Sequence, residues 1–336
     1  MSGDGASFTW RDANRTVLFG QDALEGAAAA LAEHGVDAFD LLSTPRALVG
    51  ADQLSSAAAA VHEVATGGVP EAAAAILGKA SSPNLVGLGG GRVIDTAKAV
   101  AAVEGQTVVA IPTTLSGAEM TGIHRLPAGA EERAKGLVRP ELVVADPVLM
   151  TSAPEDQLRF SAMNALAHGA DSLYTPFANP VSSMTALRGA QLIGEALDQG
   201  PDDRDRSALA LGSILCGYAI DSALFAIHHV ICQTLVRDLG IPHAETNAAI
   251  LPHAIAFMRE RAPEQIGDLA NALHTDPASL PDRIAELGQP QRLGDLGAEK
   301  DGLEAALDAI EVRPQLAFTP EPPNRAQLKA IIDAAW

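Results

Sequence analysis

Leu85-Val86-Gly87-Leu88-Gly89-Gly90-Gly91-Arg92-Val93-Ile94-Asp95-Thr96-Ala97-Lys98 is the stretch that decides the fold. A short apolar run reads as a buried strand, three consecutive glycines make a tight turn, and Val93, Ile94, Ala97, Val100 and Ala101 then fall at helical spacing. Glycine admits positive φ and lets a ligand approach the main chain with no Cβ in the way. A helix that starts at such a turn directs free N–H groups and the positive end of its dipole into it, which suits a phosphate. Gly-Gly-Gly is not the Gly-x-Gly-x-x-Gly fingerprint, and a glycine cluster after a strand is also an ordinary turn. Asp95 and Lys98 favour a pyrophosphate cradle, because a purely structural helix start needs neither; the alternative is solvated helix charge.

Working outward toward the N-terminus, Ala38-Phe39-Asp40-Leu41-Leu42 is a second strand that ends at Ser43-Thr44-Pro45-Arg46. A nucleotide-binding unit makes its ribose contact at such a turn, and a carboxylate there selects NAD. This turn carries none, so it accommodates NADH or NADPH, or is a plain surface turn. Ala-rich helices are expected near 52–65 and 69–80, and another from Asp22, as its cap, to about His34, stopped by Gly35. Phe8 to Phe19 reads as a hairpin around Asp12-Ala13-Asn14.

Toward the C-terminus, Thr107 to Ile111 is a strand ending in the hydroxyl- and glycine-rich Pro112-Thr113-Thr114-Leu115-Ser116-Gly117-Ala118-Glu119-Met120, and Leu142 to Ala145 is another before Asp146-Pro147. Loops at the carboxyl ends of strands are where α/β proteins hold ligands. Strands alternating with helices predict a Rossmann-like, doubly wound parallel sheet over residues 1–153. Residues 154–336 read as an all-α domain. Its most apolar part, Ala208 to Val236, is interrupted by Asp221, His228 and His229 and is expected to be two buried helices, not a membrane span.

The chain has 336 residues with a formal net charge of -19, 47% hydrophobic and only 4% aromatic, so packing falls to Ala, Leu, Val and Ile. No basic stripe exists to displace counterions from phosphates, which argues against nucleic acid as a partner. Cys216 and Cys232 lie in apolar helical sequence and are expected as buried free thiols, and the start of the chain has no signal-peptide pattern. A cytoplasmic protein acting on a small molecule, with no membrane partner, is the expectation.

Asn164 and His168 share one helix face at i and i+4, and His229 and His243 come from two further segments. A single histidine on an apolar helix is usually a satisfied core residue; several that converge suit either a transition metal or proton transfer. Asn164 stands where a carboxylate ligand would be needed. The favoured reading is a metal-free site with a histidine as proton donor.

Gly89-Gly90-Gly91 with Asp95 and Lys98, Pro112-Thr113-Thr114 with Gly117 and Glu119, Asp146-Pro147, the Asn164/His168 helix and the His229 to His243 interval together resemble the iron-containing alcohol dehydrogenase superfamily. Met163-Asn164-Ala165-Leu166-Ala167-His168, Ala178-Asn179-Pro180-Val181-Ser182, Leu239-Gly240-Ile241-Pro242-His243-Ala244-Glu245-Thr246 and Leu251-Pro252-His253-Ala254 are most similar to its maleylacetate reductase branch. That branch carries Asn where metal-dependent relatives carry Asp. The resemblance implies the architecture shared with dehydroquinate synthase and a nicotinamide cofactor in a cleft between an α/β and a helical domain. It also implies a homodimer.

In the residues of this chain, the resemblance implies that Gly89, Gly90 and Gly91 hold the pyrophosphate and that Asp95 lies near the nicotinamide half. Thr113 and Thr114 would line the cofactor, Lys135 would match a basic contact across a local deletion, and Asn164, His168, His229 and His243 would form the catalytic face. The implied reaction is metal-independent, NAD(P)H-dependent reduction of a carbon–carbon double bond conjugated to a ketone, such as maleylacetate to 3-oxoadipate. Four departures stand out: Arg92 and Ala118 at usual serines, Gln233 at a usual histidine, and Gly122-Ile123-His124-Arg125-Leu126-Pro127. They keep two alternatives open, a metal-dependent alcohol dehydrogenase and a non-redox cyclase or isomerase built on the same fold.

Overall fold

The computed structural model describes residues 8–336, and the chain divides after Ala153 into two compact units. The first alternates strands and helices: β1 (Phe8–Asp12), β2 (Arg15–Phe19), α1 (Ala27–Glu33), β3 (Phe39–Ser43), α2 (Asp52–Ala57), β4 (Ala60–Glu63), α3 (Val69–Ile76), β5 (Asn84–Gly89), α4 (Gly91–Glu104), β6 (Thr107–Pro112), β7 (Leu142–Ala145) and α5 (Pro147–Met150). The strands form one seven-stranded sheet in the order β1-β2-β7-β6-β5-β3-β4. Only the β1–β2 hairpin is antiparallel.

Successive side chains of a strand point to opposite faces, and helices cover both faces here, so the central strands are apolar throughout. Leu41, Val86, Leu88, Val109 and Ile111 pack toward α1 and α2, while Leu42, Leu85 and Val108 pack toward α3 and α4. Gly87 lies under α4, where a Cβ would stand 3.4 Å from the Ile94 Cα. Gly105 ends α4 in the left-handed region at φ 87°.

Two expectations about this unit are corrected. The helix expected near 52–65 stops at Ala57, and Ala60–Glu63 form the edge strand β4 instead. Alanine's helix propensity is a weak preference. It yields to the main-chain bonds Ala59 N–H to Phe39 O at 2.9 Å and Val64 N–H to Ser43 O at 2.8 Å, which tie this segment to β3. Asp22 does not cap α1: it sits at φ 60° in a turn whose carbonyl accepts from Glu25 and Gly26, and Gly26 occupies the N-cap position without a side-chain bond.

The second unit is helical: α6 (Glu155–Ser172), α7 (Pro180–Leu197), α8 (Arg206–Ala223), α9 (Ile227–Leu239), α10 (His243–Met258), α11 (Pro263–Ala272), α12 (Leu280–Gly288), α13 (Leu303–Glu311) and α14 (Arg325–Ala334). Helix α6 is its centre, with every residue from Phe160 to Ser172 buried and α7, α8, α10 and α12 packed on it. Small residues let these backbones approach closely. A Cβ on Gly189 would lie 2.6 Å from the Cys216 Sγ and 2.8 Å from the Gly212 carbonyl oxygen. Cys216 and Cys232 are buried free thiols, as expected. Among the described residues no single helix is long and apolar enough to cross a membrane; α8 and α9 have the length together but meet at 98°.

Candidate active site

The glycine triplet joins β5 to α4 at the carboxyl end of the sheet, and no side chain caps α4. Its first N–H groups are therefore without a side-chain acceptor. Glycine is required by the neighbouring loop and by the first turn of α4. A Cβ on Gly90 would lie 3.2 Å from the Thr114 Cγ2, one on Gly91 2.9 Å from the Ser116 Oγ, and one on Gly89, at φ 159°, 2.6 Å from the Val93 Cγ2. Thr113 reinforces this contact by donating its N–H to the Gly89 carbonyl at 3.0 Å. The cradle and the post-β6 loop are thus one packed unit, with Thr113 and Thr114 beside the glycines.

Lys98 has a different task from the one its position suggested. It is fully buried, and its Nζ donates to the Asp95 Oδ1 at 2.8 Å, the Ala118 carbonyl at 3.0 Å and the Ile123 carbonyl at 2.8 Å. Its donors are spent on holding residues 118–123 against α4. Arg92 likewise donates to the Ala65 carbonyl, and Ser43 gives its hydroxyl to the Leu88 carbonyl at 2.8 Å. Lys135 is not brought to the cradle. It is exposed and bonds through its N–H to the Ala102 carbonyl in the last turn of α4, about 16 Å along the helix from Gly91 at 1.5 Å per residue. The alignment across the deletion had no geometric constraint to place it.

Glu119, on the same loop, is fully buried, and neither carboxylate oxygen meets a hydrogen-bond donor of another residue. Burial pushes its carboxyl up to about 7, although its own amide, Lys98 and Arg15 oppose the shift.

In the second unit, Asn164 and His168 lie buried on α6, His229 lies buried on α9, and His243 is the first, exposed residue of α10. The His168 and His229 rings stack with centroids 4.9 Å apart. Burial holds His168 well below the usual imidazole range, and His229, His243 and His228 add to the effect. Burial also lowers His228 to about 3, and its Nε2 contacts the Asn247 carbonyl at 3.1 Å. The Nδ1 of His168 and the Nε2 of His229 are buried without a hydrogen-bond partner.

Asp171 was missed in the sequence. It is fully buried on α6, three residues after His168, and accepts from the Ala226 N–H at 3.1 Å, the His229 N–H at 3.1 Å, the His229 Nδ1 at 2.8 Å and the Tyr174 hydroxyl. Burial alone would raise its carboxyl, but the bond from His229, the two imidazoles and the Tyr174 hydroxyl hold it well below the usual carboxylate range. The available signal was a lone acid in the apolar run from Phe160 to Tyr174.

Asp171, His228 and His229 bring ligand atoms within 4.8 Å of one another, yet both Asp171 oxygens already accept N–H or O–H bonds. The remaining set of Asn164, His168, His229 and His243 has no anion to balance a divalent charge. Neutral imidazoles and an amide make this a poor match for iron or zinc, whose open sites combine histidine with a carboxylate or thiolate. The cradle, by contrast, fits a dinucleotide: the triplet is uncapped and has no side chains to obstruct a pyrophosphate.

Known proteins resemble this chain in sequence and fold. A model of the Fe-containing alcohol dehydrogenase family, C-terminal part, matches residues 160–336, and a model of iron-containing alcohol dehydrogenase matches residues 14–147. Maleylacetate reductase 1 of Rhodococcus opacus is 34% identical over 276 residues, 80% of this chain and 77% of that protein. The maleylacetate reductase of Burkholderia cepacia is 32% identical over 336 residues, 95% of each. The crystal structure of maleylacetate reductase from Agrobacterium tumefaciens superposes with a TM-score of 0.82 at 30% identity, covering 98% of each chain. This chain belongs to the iron-containing alcohol dehydrogenase family, in its maleylacetate reductase branch, and is an NAD(P)-dependent oxidoreductase.

Proposed function

We propose that the protein is a metal-independent reductase that uses NADH or NADPH to reduce a conjugated keto acid or enone of the maleylacetate kind. The observation that carries this reading is the donor set around Asn164, in which burial holds His168 well below the usual imidazole range and an amide stands in place of an anionic ligand. A reduced nicotinamide, when bound, supplies a hydride to the substrate carbon. Gly89, Gly90 and Gly91 would hold its pyrophosphate through main-chain N–H groups, Thr113 and Thr114 would line it, and Asp95, which accepts from Lys98, would lie toward the nicotinamide half.

Negative charge then develops on the substrate's enolate oxygen, and a proton must reach the substrate. His243 is assigned this role. It starts a helix, and its exposure lets water return the proton after each turnover. His229 and His168 turn their unpartnered ring nitrogens to the substrate's polar groups. The turn after β3 offers no carboxylate to repel a 2′-phosphate, which leaves both cofactors acceptable.

The test is titration of metal-stripped protein with NADH and then NADPH, followed by nicotinamide fluorescence, and then turnover of maleylacetate and related enones. Binding with turnover that survives chelation supports the reading. Turnover that disappears on chelation and returns only with iron or zinc would establish the metal-dependent alternative. Product formed without consumption of reduced cofactor would establish the non-redox one.

A further inference from the structure

We infer that Asp171 is a positioning residue for His229, setting its tautomer and ring orientation so that Nε2 is presented as the working atom of the proposed site. The inference rests on the reductase reading for its catalytic consequence, and on geometry alone for the tautomer. The carboxylate is fully buried, and its Oδ2 takes three N–H groups from the start of α9: Ala226 N, His229 N and His229 Nδ1, at 3.1, 3.1 and 2.8 Å. An acceptor-only carboxylate requires the proton of a neutral imidazole to be on the nitrogen that faces it. The neutral ring of His229 is therefore the Nδ1–H tautomer, with its lone pair on Nε2, which is buried and has no partner.

The surroundings give Asp171 no freedom to release the ring. Tyr174 donates its hydroxyl to Oδ1, so both oxygens are engaged. His228 approaches the His229 Nδ1 at 3.3 Å, but burial keeps it neutral and its Nε2 is turned to the Asn247 carbonyl. His168 stacks on the His229 face at 4.9 Å and blocks rotation toward α6. Because the main-chain N–H of His229 shares the same oxygen as its ring, the carboxylate couples the first turn of α9 to the imidazole. Nitrogen two-bond spectra and variants at one position can test this arrangement.

Imidazole 15N spectra of the metal-stripped protein should show His229 with a protonated Nδ1 and an unprotonated Nε2. Asp171→Asn keeps the volume and an oxygen acceptor but loses the charge. It should fold, bind NADH with unchanged affinity, and lose about ten- to a hundredfold in kcat, the loss typical when the outer partner of a metal-ligating histidine is removed. Asp171→Ala should also lose the tautomer preference. A His229 protonated on Nε2 alone in the wild type, or wild-type kcat in Asp171→Asn, would overturn the inference. If the wild type has no reductase activity, the functional reading fails, and the 15N spectrum, which needs no substrate, still decides for or against Asp171.

Discussion

At the scale of single residues, Glu119 carries the clearest pH signature. Its carboxyl stands at about 7 in the fold against an ordinary 4.5, because burial disfavours the charge. The folded chain therefore holds this proton more tightly than the unfolded chain does. The stabilisation is complete below about pH 4.5 and is lost as pH rises through 7, an effect of about 3 kcal/mol at full extent. Glu119→Gln stays neutral at every pH and should lose less stability than the wild type between pH 5 and pH 8 in urea unfolding; identical slopes would show that Glu119 ionises without penalty. His243→Ala should lower turnover by about two to four orders of magnitude with NADH affinity nearly unchanged. Unaltered turnover would assign the proton to another group. His168, His229 and His243 were legible because residue type and spacing announce them. Asp171 was not, because its role depends on Ala226 and His229, more than fifty residues away along the chain.

At the scale of elements, the strand–glycine–helix unit is determined by contact with the loop after β6. Gly91→Ala would set a Cβ 2.9 Å from the Ser116 Oγ and 3.0 Å from its Cβ. The loop must shift, which should weaken NADH binding at least about tenfold and cost roughly 1–3 kcal/mol of stability. Gly267→Ala in α11, where a Cβ meets nothing within 4 Å, serves as the control and should be neutral or stabilising by a few tenths of a kcal/mol or more. Equal NADH affinity in the Gly91 variant would mean that the turn is not the cofactor's seat. Strands β3, β5, β6 and β7 were visible as apolar runs. Strand β4 was not: Ala58-Ala59-Ala60 reads as helix, and only the free edge of β3 turns it into strand. The Asp22 cap failed for a similar reason, since its backbone takes a left-handed turn before α1 begins.

At the scale of the whole molecule, cofactor binding to the folded chain alone should raise its stability by mass action. NADH at a hundredfold its Kd should add about 2.7 kcal/mol to the unfolding free energy, and prior chelation should leave that gain intact. A melting temperature insensitive to both NADH and NADPH would argue for the non-redox alternative. By itself the sequence determined the α/β unit followed by a helical one and the family, because side-chain periodicity, glycine punctuation and residue spacing are local properties written along the chain. It also determined that the histidine cluster would contain an amide and no anion at Asn164. Only the tertiary structure decided that Lys98 pins a loop and is spent for phosphate, that Lys135 lies at the far end of α4, and that Asp171 holds His229. Those outcomes depend on burial and on the choice of hydrogen-bond partner, and both are set by groups distant in sequence that meet only when the chain has folded.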